Sequence, residues 1–223
     1  MQHAIREPLA FKTREQAAYE AVRAAIVSGR WGQRQPLVVS HLAEELGVSR
    51  ITVANALKRL AGEGFVDLTP HKGAVVAALD PDAIREVYLM RGELEALSAR
   101  ESAARVRPSD LSDLEAINDE IGRLSDSGAT VGELRRVDWR FHARLRQIAG
   151  MPLLAQTLQN LADQCEGYRA RLLDDRAQVL PAPWRHRPIL DALAAHDAAT
   201  AGEAMREHIL AGMRAVLATL DES

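Results

Sequence analysis

One aspartate and three histidines in the second half of the chain have the residue types and spacing of a cation site. Asp138 and His142 stand four residues apart in Asp138-Trp139-Arg140-Phe141-His142, and on a helix that spacing puts both side chains on one face. Leu145 and Ala149 continue the face, so it is expected to look inward. His186 precedes Ile189, Leu190 and Leu193, and His208 precedes Ala211, Gly212 and Ala215, again at helical spacing. A carboxylate and three imidazoles on the inward faces of three helices suit a divalent metal such as Zn, Ni or Mn. Spacing alone leaves a second reading open, in which Asp138 and His142 form an ordinary hydrogen bond. His3 and His41 have no comparable partners. The single Cys165 excludes an internal disulfide and a multi-cysteine zinc site, and reads as a small buried hydrophobe.

A second group of residues, nearer the start, suits a nucleic acid. Ser49 and the amides of a helix start can hold a phosphate. Arg50 can pair with a guanine edge or a phosphate, and Thr52 can reach a base or backbone oxygen. Lys58 and Arg59 add phosphate attraction, and His71 and Lys72, in a turn, can touch an adjacent groove. Each is also compatible with a solvated surface position, so the elements around them decide.

Those elements read as a helix-turn-helix with a wing. A helix over 13–28 has Thr13 as cap, Gln16 completing a capping box, and Ala17, Ala21, Ala24 and Val27 on one face with Val22 and Ile26 nearby. A second helix fits 40–46, capped by Ser40 and burying Leu42, Ala43 and Leu46. Gly47 turns the chain, and Ser49 opens a third helix carrying Val53, Leu57 and Leu60. Alternating strands over 65–69 and 74–77, joined by Pro70-His71-Lys72-Gly73, make a two-stranded wing with a basic tip. Such a motif lays its second helix in the major groove of DNA.

From residue 82 on, no strand pattern occurs. Helical stretches fit 82–105, 110–126, 131–149, 152–178, 184–195 and 198–220, separated by breaks such as Gly150-Met151-Pro152 and Pro181-Ala182-Pro183. Thr130 and Glu133 form a capping box, and Asp82 is expected to cap the first of the six. The fold class is therefore mostly α, a winged helix-turn-helix followed by an antiparallel bundle of about six helices. The expected division is 1–78 for the DNA-binding domain, 79–82 for a linker and 83–223 for the helical domain.

The composition agrees with two modest domains. The chain has 223 residues, 47% hydrophobic and 26% charged, enough to bury cores without disulfides. Residues 1–78 carry 10 basic and 7 acidic side chains, while the remainder carries 18 and 24, so the two halves face different partners. No apolar run approaches the ~18 residues of a membrane span, and the first residues lack a basic-then-apolar signal pattern. A cytoplasmic protein with no membrane partner is expected.

In order, Leu42-Ala43-Glu44-Glu45-Leu46-Gly47-Val48-Ser49-Arg50, Val53, Ala56-Leu57-Lys58-Arg59-Leu60, Gly64 and Lys72-Gly73-Ala74 resemble the winged-helix domain of GntR-type bacterial transcription regulators. Asp138-Trp139-Arg140-Phe141-His142, Gly150-Met151-Pro152-Leu153-Leu154, His186-Arg187-Pro188-Ile189-Leu190 and Met205-Arg206-Glu207-His208-Ile209 resemble the FCD effector domain of the FadR branch, and six helices resemble its shorter, VanR-like form. The resemblance implies a homodimeric repressor on a pseudo-palindromic double-stranded DNA operator. It assigns Asp138, His142, His186 and His208 to a metal, with a small organic acid as effector. Arg91 matches an arginine of the first effector helix and can hold that acid's carboxylate; the competing role is an ion pair with Glu95. Asn118 and Arg171 are further candidates for the pocket. The chain departs from the family at Gln33-Arg34, where Pro-Gly is usual, at Ile51-Thr52, where Thr-Pro is usual, and at Ala54-Asn55, where Arg-Glu is usual. The missing arginine alters base readout, and Asn55, turned ~100° away on the helix, is no direct substitute. His196 stands where a turn glycine is usual and is expected to be exposed. Two other functions stay open: a metal sensor in which the ion is the signal, and a metal-dependent enzyme, although no general base accompanies the four ligands.

Overall fold

The computed structural model describes residues 13–69, 73–78, 80–173 and 186–221. The chain divides between Ala78 and Leu79 into two compact units.

The first unit contains α1 (Arg14–Val27), β1 (Pro36–Leu37), α2 (Val39–Leu46), α3 (Arg50–Gly62), β2 (Val66–Thr69) and β3 (Gly73–Val76). Thr13 caps α1 by accepting from the Gln16 amide at 3.1 Å. The reciprocal half of the expected box is not made, because the Gln16 side chain bonds Glu20 and Arg59 instead. The buried face of α1 is Ala18, Tyr19, Val22, Ala25 and Ile26, whereas Ala17, Ala21 and Ala24 are exposed. Alanines carry too little apolar surface to orient a helix, and Tyr19, Val22 and Ile26 set its rotation. The start of α2 also differs from expectation: Val38 is the cap residue and Ser40 lies inside the first turn. Gly47 ends α2 in the left-handed conformation, φ 62°, which lets α3 begin three residues later.

The sheet has three strands rather than the two expected, in the antiparallel order β1-β3-β2. β1 is only two residues, too short to show alternation in sequence. Arg34, just before it, takes φ 59° where the family usually has glycine, and its N–H bonds the Val76 carbonyl at 2.8 Å. Val22, Ile26, Leu37, Leu42, Val53, Leu57, Leu60, Phe65 and Val76 form the core of this unit.

The second unit contains α4 (Pro81–Arg105), α5 (Pro108–Asp126), α6 (Val131–Ala149), α7 (Pro152–Leu173), α8 (Arg187–Ala194) and α9 (Ala198–Asp221). Asp80, not Asp82, caps α4, with Pro81 in the first turn where a missing N–H costs nothing. Residues 81 and 82 therefore belong to the helix and not to the linker. Thr130 and Glu133 form the capping box expected for α6. Gly212 on α9 faces Tyr88 on α4, Leu210 faces Gly92, and Gly202 faces Arg100, so the two long helices run antiparallel. The core joins Ile84, Tyr88, Leu114, Phe141, Leu145, Ile189, Leu193 and Met205. His196 is exposed with φ 52°, and its Nδ1 lies 2.8 Å from the Ala103 carbonyl. Among the described residues, no helix is long and apolar enough to cross a membrane.

Candidate metal and effector site

Asp138 and His142 project from α6, His208 from α9, and His186 immediately precedes α8. Phe141, fully buried between the two α6 ligands in sequence, stacks on the His186 ring at 4.0 Å between centroids and 9° between planes. The stack fixes the orientation of a residue that is itself outside a helix. The four side chains converge, with one ligand atom from each lying within 4.8 Å of the others. His142 Nε2 and His208 Nε2 are 3.3 Å apart, and His186 Nε2 is 3.3 Å from Asp138 Oδ1. The three imidazoles are buried, and the Asp138 side chain is 18% exposed.

The protonation states fit a cation. Burial pushes the His142 imidazole down to about 3 against the opposing pull of Asp138, and neighbouring His186, Arg146 and Arg91 push the same way as burial. Burial, then His186 and His142, also hold His208 well below the ordinary imidazole value. Burial alone would raise the Asp138 carboxyl, but the contact with His186, with His142 and His208 close by, outweighs it and holds the group well below its ordinary value. Neutral imidazoles and an ionised carboxylate are the forms that bind metal. His186 Nε2 is buried with only the long 3.3 Å approach to Asp138 Oδ1, a weakly satisfied state that a cation relieves.

Beside this cluster is a chamber of about 20 Å³, lined by Arg91, Arg135, Asp138, His142, Arg146 and Glu166 among others; it has room for about one water molecule. Three arginines thus meet the ligand set. Arg146, four residues beyond His142, pairs in the interior with Glu95, whose side chain is fully buried. Arg91 stands 4.0 Å from the same Glu95, so the ion pair weighed for it is long, and Arg91 also lines the chamber. Arg91 Nε and Arg146 Nη1 are buried without hydrogen-bond partners among the described residues. Arg135 pairs with Glu166 across α6 and α7. Asn118 is buried on α5 but does not line this chamber, and the Arg171 side chain lies outside the described residues.

In the first unit, Ser49 caps α3, its Oγ accepting from the Thr52 amide at 3.1 Å and lying 2.8 Å from Thr52 Oγ1. Arg50 and Lys58 are exposed on the same helix. Arg59 is exposed too, and its guanidinium covers the Tyr19 ring at 3.7 Å and donates to Gln16 and Glu63, which also joins α3 to α1. Asn55 donates to Glu15 at 3.4 Å. His71 and Lys72 lie outside the described residues. Ile51 is 75% exposed at the start of α3, a large apolar side chain with no packing role.

The model for bacterial regulatory proteins of the gntR family matches residues 14–76, and that for the FCD domain matches residues 86–211. The chain is a GntR-family protein with an FCD domain. As such it is a DNA-binding transcription regulator and not an enzyme. An uncharacterized HTH-type transcriptional regulator in an unstable DNA locus of Streptomyces ambofaciens is 28% identical over 202 residues, covering 90% of this chain and 84% of that one. The HTH-type transcriptional repressor RspR of Escherichia coli is 26% identical over 194 residues, covering 87% and 85%. The solved structure of E. coli McbR/YncC superposes with a TM-score of 0.75 at 19% identity, over 92% of this chain and 98% of that one, a likeness of fold.

The FCD domain holds functional candidates that sequence reasoning missed. Arg146 was discoverable, since it extends the Asp138–His142 face by one further turn. Arg135 lies three residues before Asp138 and carries the same signal. The pairing of Arg146 with Glu95 and of Arg135 with Glu166 spans different helices, so no local spacing announces it. Ile51 was legible only as a departure from the family pattern.

Proposed function

We propose that this GntR-family regulator is a cytoplasmic homodimeric repressor whose operator affinity is set by a small organic acid bound beside a divalent metal. Asp138, His142, His186 and His208 hold the metal, and Arg91 and Arg146 face the acid. The metal supplies open coordination positions for an oxygen ligand when its preference exceeds four. The observation that carries this reading is the chamber itself, in which three arginines adjoin a cluster of one carboxylate and three imidazoles. A sensor of the ion alone has no use for buried guanidinium groups beside the ion, and so the organic acid is favoured as signal.

The operator contacts are assigned to Ser49, Arg50, Thr52 and Lys58 on α3 and to His71 and Lys72 on the wing. Ile51 joins them as an apolar contact for a thymine methyl, in a helix that lacks the family's usual arginine at position 54. Acid binding shifts the population between conformations of differing DNA affinity. The test is fluorescence anisotropy on a duplex that the protein itself selects from a random pool, with metal-loaded and chelator-treated protein and a panel of small carboxylates. The reading predicts that an acid weakens DNA binding only in the metal-loaded protein. An equal effect of metal with and without any acid would favour the ion sensor.

A further inference from the structure

The chamber beside the four ligands is small and opens only narrowly to solvent at Asp138 and Glu166. With room for about one water, it admits an acid only if one of its own groups leaves. Three carboxylates are candidates. Asp138 belongs to the ligand set. Glu95 is fully buried on Arg146, and moving it strands charge in the interior. Of the two outside the ligand set, Glu166 is the one with a path to water: its side chain is 24% exposed, on α7, while its carboxylate lies on Arg135 of α6. Its arm is chemically a short carboxylic acid already seated in the chamber wall.

Charge defines what replaces it. Arg91, Arg135 and Arg146 are matched in number by the carboxylates of Glu95, Glu166 and Asp138 around them. A divalent ion adds two positive charges to a site that water barely reaches, and departure of Glu166 removes a negative one. A dianion restores balance better than a monoanion of the same length. The buried Arg91 Nε and Arg146 Nη1 supply donors that no described group uses.

We propose that Glu166 is an internal counter-ion that keeps the chamber shut, and that the effector displacing it is a short dicarboxylate. One carboxylate takes the place of Glu166 on Arg135, and the other faces Arg91 and Arg146 beside the ligand cluster. This rests on the metal-and-acid reading above. A protein whose open form is a minor fraction binds ligand with affinity reduced by that fraction, so removing the competitor tightens binding.

The test uses full-length, metal-loaded protein titrated calorimetrically with succinate and with butyrate, its one-carboxylate counterpart. Metal content and thermal melting are measured first on wild type, Glu166→Gln, Glu166→Ala and Arg135→Gln. Succinate is expected to bind the two Glu166 variants about five- to tenfold more tightly than wild type. Arg135→Gln is expected to lose the preference for succinate over butyrate. Retained metal and succinate binding that neither Glu166 variant tightens would overturn the proposal and leave the metal-and-acid reading standing. Retained metal with no binding of either acid to any folded variant would overturn the dicarboxylate assignment. A wild type that holds no metal would contradict the underlying reading before any acid is added, and the charge count would fall with it.

Discussion

At the scale of single residues, the helical domain is organised by charges placed where apolar side chains are usual. Glu95 is fully buried and Arg146 nearly so, and they are tolerated because they pair, with Arg91 as a second, longer neighbour of Glu95. Glu95→Gln removes the negative partner and leaves a guanidinium in the interior, with an expected loss of about 3–5 kcal/mol in denaturant unfolding. Replacing both by leucine is expected to recover part of that loss, because one stranded charge goes while the buried Arg91 still loses its carboxylate neighbour. A second expectation concerns pH. The folded-state values of His142 and His208 lie below the unfolded imidazole value of ~6.5. The unfolded chain therefore binds more protons as pH falls, and stability present above ~6.5 is lost on going down toward 3. Unfolding of metal-free protein followed from pH 7.5 to 4.5 checks this. A flat profile through that window would show that these imidazoles are not held neutral. The convergence of Asp138, His142, His186 and His208 was legible in the sequence because spacing, flanking apolar residues and chain order all agreed. Glu95, Arg135 and Glu166 were not, because charged residues on a helix usually face water and only tertiary packing brings these together.

At the scale of elements, the caps and the large apolar residues explain what could be read. Gly47, Ser49, Thr130 and Gly150 mark ends that hold in the structure, each through local chemistry. The rotation of α1 was misread because its alanines form a stripe without the surface area to define a core face. β1 escaped notice because two residues carry no pattern and its pairing to β3 is decided by contacts distant in sequence. α3 offers a test that separates folding from DNA contact. Ser49→Ala removes the cap and is expected to cost about 1 kcal/mol of stability. Ser49→Asp keeps a good cap and suits the positive helix end, yet places a negative charge where a phosphate is expected. It is predicted to preserve thermal stability while weakening DNA binding more than Ser49→Ala does. Equal DNA affinity in the two variants would remove Ser49 from the phosphate site.

At the scale of the molecule, the two units have separate cores, and the four proposed metal ligands all belong to one of them. Ion binding is therefore expected to stabilise the helical unit by mass action, about 2.7 kcal/mol at a hundred times the dissociation constant. Hydrogen exchange on the full chain checks this: protection is expected to rise in the residues around Phe141 and Met205. The proposed regulation depends on a divalent metal held by Asp138, His142, His186 and His208. Elemental analysis of the purified full-length protein, beside His142→Ala and His208→Ala, tests it most directly. The account predicts about one equivalent per chain in the wild type, as a single four-ligand site implies, and its loss in both variants. A wild type that retains no metal after incubation with Zn²⁺, Ni²⁺ or Mn²⁺, or variants that retain it fully, would contradict the claim.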